Sequence, residues 1–182
     1  MAPNKRRRIV EEGPGHSDCK AKIGLMGSSR AIEGGLELER LTRLAERLGE
    51  VIAERGCVLV TGATTGFPDV VSRAARRHGG LTVGISPGLS REEHTTRYSL
   101  PDDGVDVLVY TGFGLKGRNV INVRSSDVVI IFGGGIGTLN EFTIAYDEGK
   151  SCWGARGHRR RSGSNHGNRG VIKQARWSQT GV

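Results

Sequence analysis

Asp127-Val-Val-Ile-Ile-Phe132-Gly133-Gly134-Gly135-Ile136-Gly137-Thr138-Leu139-Asn140-Glu141 is the stretch that decides the fold. Residues 128–132 are apolar without alternation, the pattern of a strand covered on both faces. The glycines end that strand, and a helix is expected over 139–148. A buried strand, a glycine turn and a helix make the repeating unit of a parallel sheet. The same unit recurs towards the N-terminus. Strands are expected at 23–26, 57–61, 81–85 and 105–110. Between them, Leu38, Leu41, Leu44, Ala45, Leu48, Val51 and Ile52 recur at helical spacing and stop at Gly56. Further helices are expected over 69–77 and 118–125. The fold class that follows is α/β: a Rossmann-like three-layer sandwich with a mostly parallel sheet.

The expected strands run directly into Gly, Ser or Thr, where an open parallel sheet opens its ligand crevice. The 133–138 turn carries the strongest chemical signal. Backbone N–H groups at a helix start lack intrahelical partners, and the helix dipole favours an anion there. Glycines let a phosphate approach that backbone, and Thr138 adds a hydroxyl. Glu141, in the first turn of the expected helix, can stand beside a bound phosphate ester. Thr138-x-x-Glu141 is equally the pattern of a capping box, so local physics leaves catalysis by Glu141 open. Arg118, expected to start the helix after the fourth strand, can pair with phosphate or with Glu141.

Other motifs carry less. Gly112-x-Gly114-x-x-Gly117 follows the fourth strand, whereas a dinucleotide fingerprint belongs in the first strand–helix turn. Gly149-Lys150-Ser151 ends like a P-loop, but Ile144 occupies the place of its first glycine. The five histidines show no metal-ligand spacing, and His78 and His94 read as loop residues. Three scattered cysteines exclude a disulfide framework and any Cys-x-x-Cys metal site. No metal is expected. No run approaches the roughly 18 apolar residues of a membrane span, and no secretory signal is visible, so the expected location is cytoplasmic.

The net charge of +8 is unevenly placed. Residues 1–150 carry 20 Lys and Arg against all 19 acids, and residues 151–182 carry seven basic residues and no acid. The folded part is therefore nearly neutral, which argues against nucleic acid as a partner. The expected organisation is a disordered basic arm at 1–20, a nucleotide-binding domain at 21–150, and a basic tail at 151–182. Where a sixth strand is due after Lys150, no apolar run of three residues follows. The C-terminal strand and helix thus read as missing or replaced by the tail, which could be the product of a shifted reading frame.

The run from Arg118 to Glu141 resembles the paired signature of the Lonely Guy (LOG) family, formerly called lysine decarboxylase-like. That signature is an Arg at the start of a helix, then Pro-Gly-Gly-x-Gly-Thr-x-x-Glu beyond the next strand. The resemblance covers residues 21–150. It implies a Rossmann-like dimer that hydrolyses the N-glycosidic bond of a nucleoside 5′-monophosphate, giving free base and ribose 5-phosphate without a cofactor. It implies Arg118 and Glu141 as the catalytic pair. It implies binding of the phosphate and nucleotide by Gly134, Gly135, Ile136, Gly137 and Thr138, with Gly27, Ser28, Ser29, Gly62 and Gly66 in the turns after the first two strands. Three positions depart from the family: Gly133 replaces Pro, Asn119 replaces Lys, and Thr64-Thr65 stand in a turn that is usually richer in glycine. Gly117-Arg118-Asn119, Asn122 and Ser125-Ser126 are similar to the molybdenum-cofactor carrier proteins of the same fold. Those bind a phosphorylated pterin without cleaving it, so the alternative is a non-catalytic carrier of a phosphorylated cofactor.

Overall fold

A computed structural model describes residues 19–29, 35–155 and 172–174. The elements run β1 (Lys22–Gly27), α1 (Leu36–Glu54), β2 (Val58–Thr61), α2 (Phe67–Arg77), β3 (Leu81–Ser86), a π-helical turn (Glu93–Arg97), β4 (Val107–Tyr110), α3 (Gly114–Arg124), β5 (Val128–Phe132), α4 (Ile136–Asp147), β6 (Ser151–Ala155) and β7 (Ile172–Gln174). The strand order is β4-β3-β2-β1-β5-β6-β7. The first six are parallel, and only β7 pairs antiparallel, against β6. The expected α/β class is the observed one.

The sheet has a core on each face, and β1 serves both. Leu25 packs with Leu41, Ala45 and Ile52 of α1, Val71 of α2, Leu59 and Phe132. Its neighbour Met26 packs the other way, with Val123 of α3, Val129, Ala145 of α4 and Cys152. That alternation is the period of two expected of a strand buried on both sides. The ring of Phe67 lies against Phe132, with centroids 4.6 Å apart.

Successive strands step outward from β1 to β4, then the chain returns to place β5 beside β1 on its other side. This is the topological switch point of the sheet, and its crevice opens at the carboxyl ends of β1 and β5. Gly27 and Phe132 are register partners there.

Three expectations need correction. A sixth strand exists: Ser151–Ala155 pairs with Val128–Phe132 along its whole length. It escaped the sequence reading because Ser-Cys-Trp-Gly-Ala has no apolar run; it is a strand because its backbone extends the ladder of β5, with Cys152 buried in the α3–α4 core. The parallel sheet therefore runs past the boundary placed at Lys150. The basic arm up to residue 18, and the tail beyond Ala155 apart from β7, lie outside the described residues. Second, α3 and α4 begin four and three residues before the expected starts, because glycines near both N-termini mask the helical signal. Third, His94 is fully buried, not a loop residue. Its ring lies 2.9 Å from Ser86 Oγ and 3.0 Å from the Pro101 carbonyl, pinning the segment after β3.

Candidate active site

The earlier helix starts change the meaning of Arg118, Thr138 and Glu141. Gly135 is the N-cap of α4 and makes no side-chain cap. Thr138 lies inside the first turn, and its hydroxyl donates to the Gly27 carbonyl at 3.3 Å. Glu141 stands in the second turn. The capping-box reading is therefore excluded, and the carboxylate is free for another role. On α4 the buried residues are Thr138, Glu141 and Ala145, one face at helical spacing. On α3 they are Arg118, Asn119, Asn122 and Val123, again one face. The two helices pack side by side, so these faces meet.

Arg118 and Glu141 are 5% and 6% exposed, and Arg118 Nη1 lies 3.5 Å from Glu141 Oε1. Burial pushes the Glu141 carboxyl above the ordinary carboxylate range, against the opposing pull of Arg118, the Asn122 amide and Lys116. Burial likewise lowers the Arg118 guanidinium, partly offset by Glu141. Arg118 Nε has no hydrogen-bond partner, and neither has Asn122 Oδ1. Native interiors seldom leave such groups unpaired. Arg118 lines a cleft of about 180 Å³, and Asn122 lies behind its wall, bonded to Glu141.

The cleft sits at the switch point. Its walls come from Gly27 and Ser29 after β1, Gly62 and Thr64 after β2, Lys116 and Arg118 on α3, and Gly137, Thr138 and Glu141 on α4. Gly62 has a defined task, since a Cβ there would fall 1.9 Å from Arg118 Nη1. Absence of a side chain at residue 62 makes the space that the guanidinium occupies. Gly134 has φ of 119°, and a Cβ would meet Thr138 Oγ1 at 2.2 Å, so glycine is required for that turn into α4.

Of the residues singled out from the sequence, Gly27, Ser29, Gly62, Arg118, Gly137, Thr138 and Glu141 line one cleft. Gly134 and Gly135 form the approach to α4. Gly66 caps α2, where the Phe67 amide donates to the Ser28 carbonyl at 3.1 Å; the pair ties two turns together behind the wall. Ile136 is largely exposed and borders a neighbouring apolar recess with Leu139 and Thr143. Sequence reasoning had not placed Lys116, Asn119 or Asn122 in the site. The spacing of Asn122, four residues after Arg118, was the available signal, because on a helix it shares that residue's face.

Several known proteins are similar to this chain. A Mycobacterium marinum protein named cytokinin riboside 5′-monophosphate phosphoribohydrolase is 36% identical over 110 residues, 60% of this chain and 56% of that protein. The chain thus spans just over half the length of that relative. A protein from Archaeoglobus fulgidus is 38% identical over 129 residues, 71% of this chain and 76% of that one. Among solved structures, the molybdenum cofactor binding protein of the phototrophic bacterium Rippkaea orientalis matches with a TM-score of 0.62 and 37% identity, over 75% of this chain and 76% of that chain. The model of the SLOG cluster4 family matches residues 20–179, nearly the whole sequence, and the chain belongs to that family.

Proposed function

We propose that this protein hydrolyses the N-glycosidic bond of a nucleoside 5′-monophosphate. The observation that carries the reading is the buried Arg118–Glu141 pair, facing a cleft at the amino end of α4. The backbone amides of 135–138 hold the 5′-phosphate, where the helix dipole favours it. Gly27 and Ser29 form the opposite wall. The ribose then lies towards Glu141. As the C1′–N bond breaks, its electron pair leaves with the base and positive charge develops on the sugar, which the carboxylate stabilises. A water oxygen bonds to C1′ and the departing base takes up a proton, so the products are free base and ribose 5-phosphate. Glu141 orients that water, and Arg118 fixes carboxylate and sugar. The name of the mycobacterial relative supports this reading.

A second reading is carriage of a phosphorylated cofactor without cleavage. The match to a molybdenum cofactor binding protein and the buried amides Asn119 and Asn122 favour it. Incubation with AMP and a panel of other monophosphates separates the two. Release of free base, abolished in Glu141→Gln with binding retained, is the expected result. Binding without release, or an intact ligand that co-purifies, establishes the carrier instead. Sedimentation of the same preparation tests the homodimer that the family resemblance implies. Among the described residues, no helix is long and apolar enough to cross a membrane.

A further inference from the structure

We infer that Asn122 is a positioning residue: its amide commits one oxygen of Glu141 and leaves the other to the ligand. This rests on the reading of Glu141 as the working carboxylate.

Asn122 is fully buried, one turn beyond Arg118 on α3. Its Nδ2 donates to Glu141 Oε1 at 3.3 Å and to Met26 Sδ at 3.0 Å. Its backbone carbonyl accepts from Ser126 Oγ at 2.9 Å, so both the main chain and the side chain are held. Arg118 Nη1 approaches the same oxygen, Oε1, at 3.5 Å. Two groups on one helix thus address one carboxylate oxygen. Among the described residues Oε2 takes no hydrogen bond, and Glu141 lines the cleft. Both contacts fall on one oxygen and hold the plane of the carboxylate, which leaves the second oxygen to water or sugar.

Packing alone does not call for an amide here. Asn122 lies among Met26, Val123 and the α3–α4 core, and its Oδ1 is buried with no partner. An apolar side chain of similar size avoids that unpaired acceptor. The amide is retained against local packing preference, as is usual where a residue serves chemistry. The charged groups that bear on Glu141 are Arg118 and Lys116, both from α3. The cleft walls from β1 and from the turn after β2 present no charge. Loss of the Asn122 donor therefore leaves that oxygen to Arg118, at 3.5 Å, and weakens the hold on the ionised carboxylate.

The test uses the full chain with Asn122→Leu and Asn122→Ser, neither of which can supply a donor at that distance. The Glu141 carboxyl carbon is followed by NMR through a pH titration, a readout independent of turnover. Both variants are expected to titrate at higher pH than the wild type. With a monophosphate that the wild type cleaves, kcat falls by roughly 10- to 100-fold, the loss of one hydrogen bond to a charged group, while KM stays nearly constant. The acid limb of the rate profile moves up with the titration. Val123→Ala on the same helix is the control: it loosens the core and leaves the Glu141 titration in place. Folded Asn122 variants with an unchanged Glu141 titration overturn the inference. A wild type that releases no base from any monophosphate overturns the functional reading while leaving the titration result standing.

Discussion

The helices on the two faces of the sheet obey different rules. The α1–α2 layer is built as a packed domain should be: Leu41, Ala45, Ile52, Val71 and Ala75 meet Leu25, Leu59 and Phe132, and its charges lie in surface pairs such as Arg40–Glu37. The α3–α4 layer buries Arg118, Asn119, Asn122, Thr138 and Glu141, and leaves two polar atoms among them without partners, against one, Ser72 Oγ, on α2. Buried ions and unpaired acceptors reduce stability unless something compensates them. One layer thus secures the fold, and the other carries the buried polar groups on which the proposed function rests.

The largest expected effect on stability belongs to the first layer. Phe132→Ala removes the ring packed on Phe67 and costs about 3–5 kcal/mol, read by chemical denaturation. A cost near zero would show that the α1–α2 core does not carry the fold. Gly62→Ala probes the second layer. The added Cβ displaces the far end of a long side chain, so stability changes by about 1 kcal/mol or less, yet Arg118 leaves its place beside Glu141. Base release is expected to fall about 100-fold, as it does when a catalytic group is misplaced by about an ångström. Wild-type turnover in Gly62→Ala would remove Arg118 from the mechanism.

Acid gives the smallest effect and separates the layers by pH. Burial raises Glu141, so activity that needs its carboxylate is lost as pH falls through a value above the ordinary carboxylate range. Asp127, at the start of β5, behaves oppositely: the Lys22 backbone N–H, bonded at 2.8 Å, holds its carboxyl below that range. Its contribution is complete above the unfolded-state pKa and is lost only as pH falls through the lower folded value. Because Asp127 is half exposed, that contribution is small. Activity should therefore disappear on acidification before the fold weakens, and Asp127→Asn should flatten the acid side of the stability curve without moving the activity limb. Simultaneous loss of both would break the distinction.

Much of this was legible in the sequence where local chemistry dictates structure. The run through Phe132 and the glycines after it identify strand, turn and helix without reference to any other part of the chain. Gly62 and Asn122 were not legible in the same way. Each matters through a residue distant in sequence, Arg118 for one and Glu141 for the other, and only the packing of α3 against α4 brings those partners together. The strand β6 was illegible for a related reason, since its partner β5, and not its own composition, makes it a strand.

The tail beyond it has a composition that the genetic code makes testable. Every arginine codon has guanine in second place, so an arginine entered one base late reads as Val, Ala, Asp, Glu or Gly. Six arginines and no acid after Lys150 are what an acidic and apolar segment yields out of frame. Two observations argue the other way: Ser151–Ala155 form β6 in the present frame, and the family match reaches residue 179. Sequencing the gene across codon 151 decides it: the shifted-frame reading expects an alternative frame with a strand-like apolar run, and neither frame supplying one rejects it.

Leu25 and Met26 are adjacent in the chain, yet they face opposite layers. Inserting or deleting a single residue just ahead of them would exchange their sides, pushing a thioether among the leucines and taking the sulfur away from Asn122. Length changes before β1 and within it should therefore be tolerated very differently, because in the central strand a slip of one peptide unit damages scaffold and chemistry together.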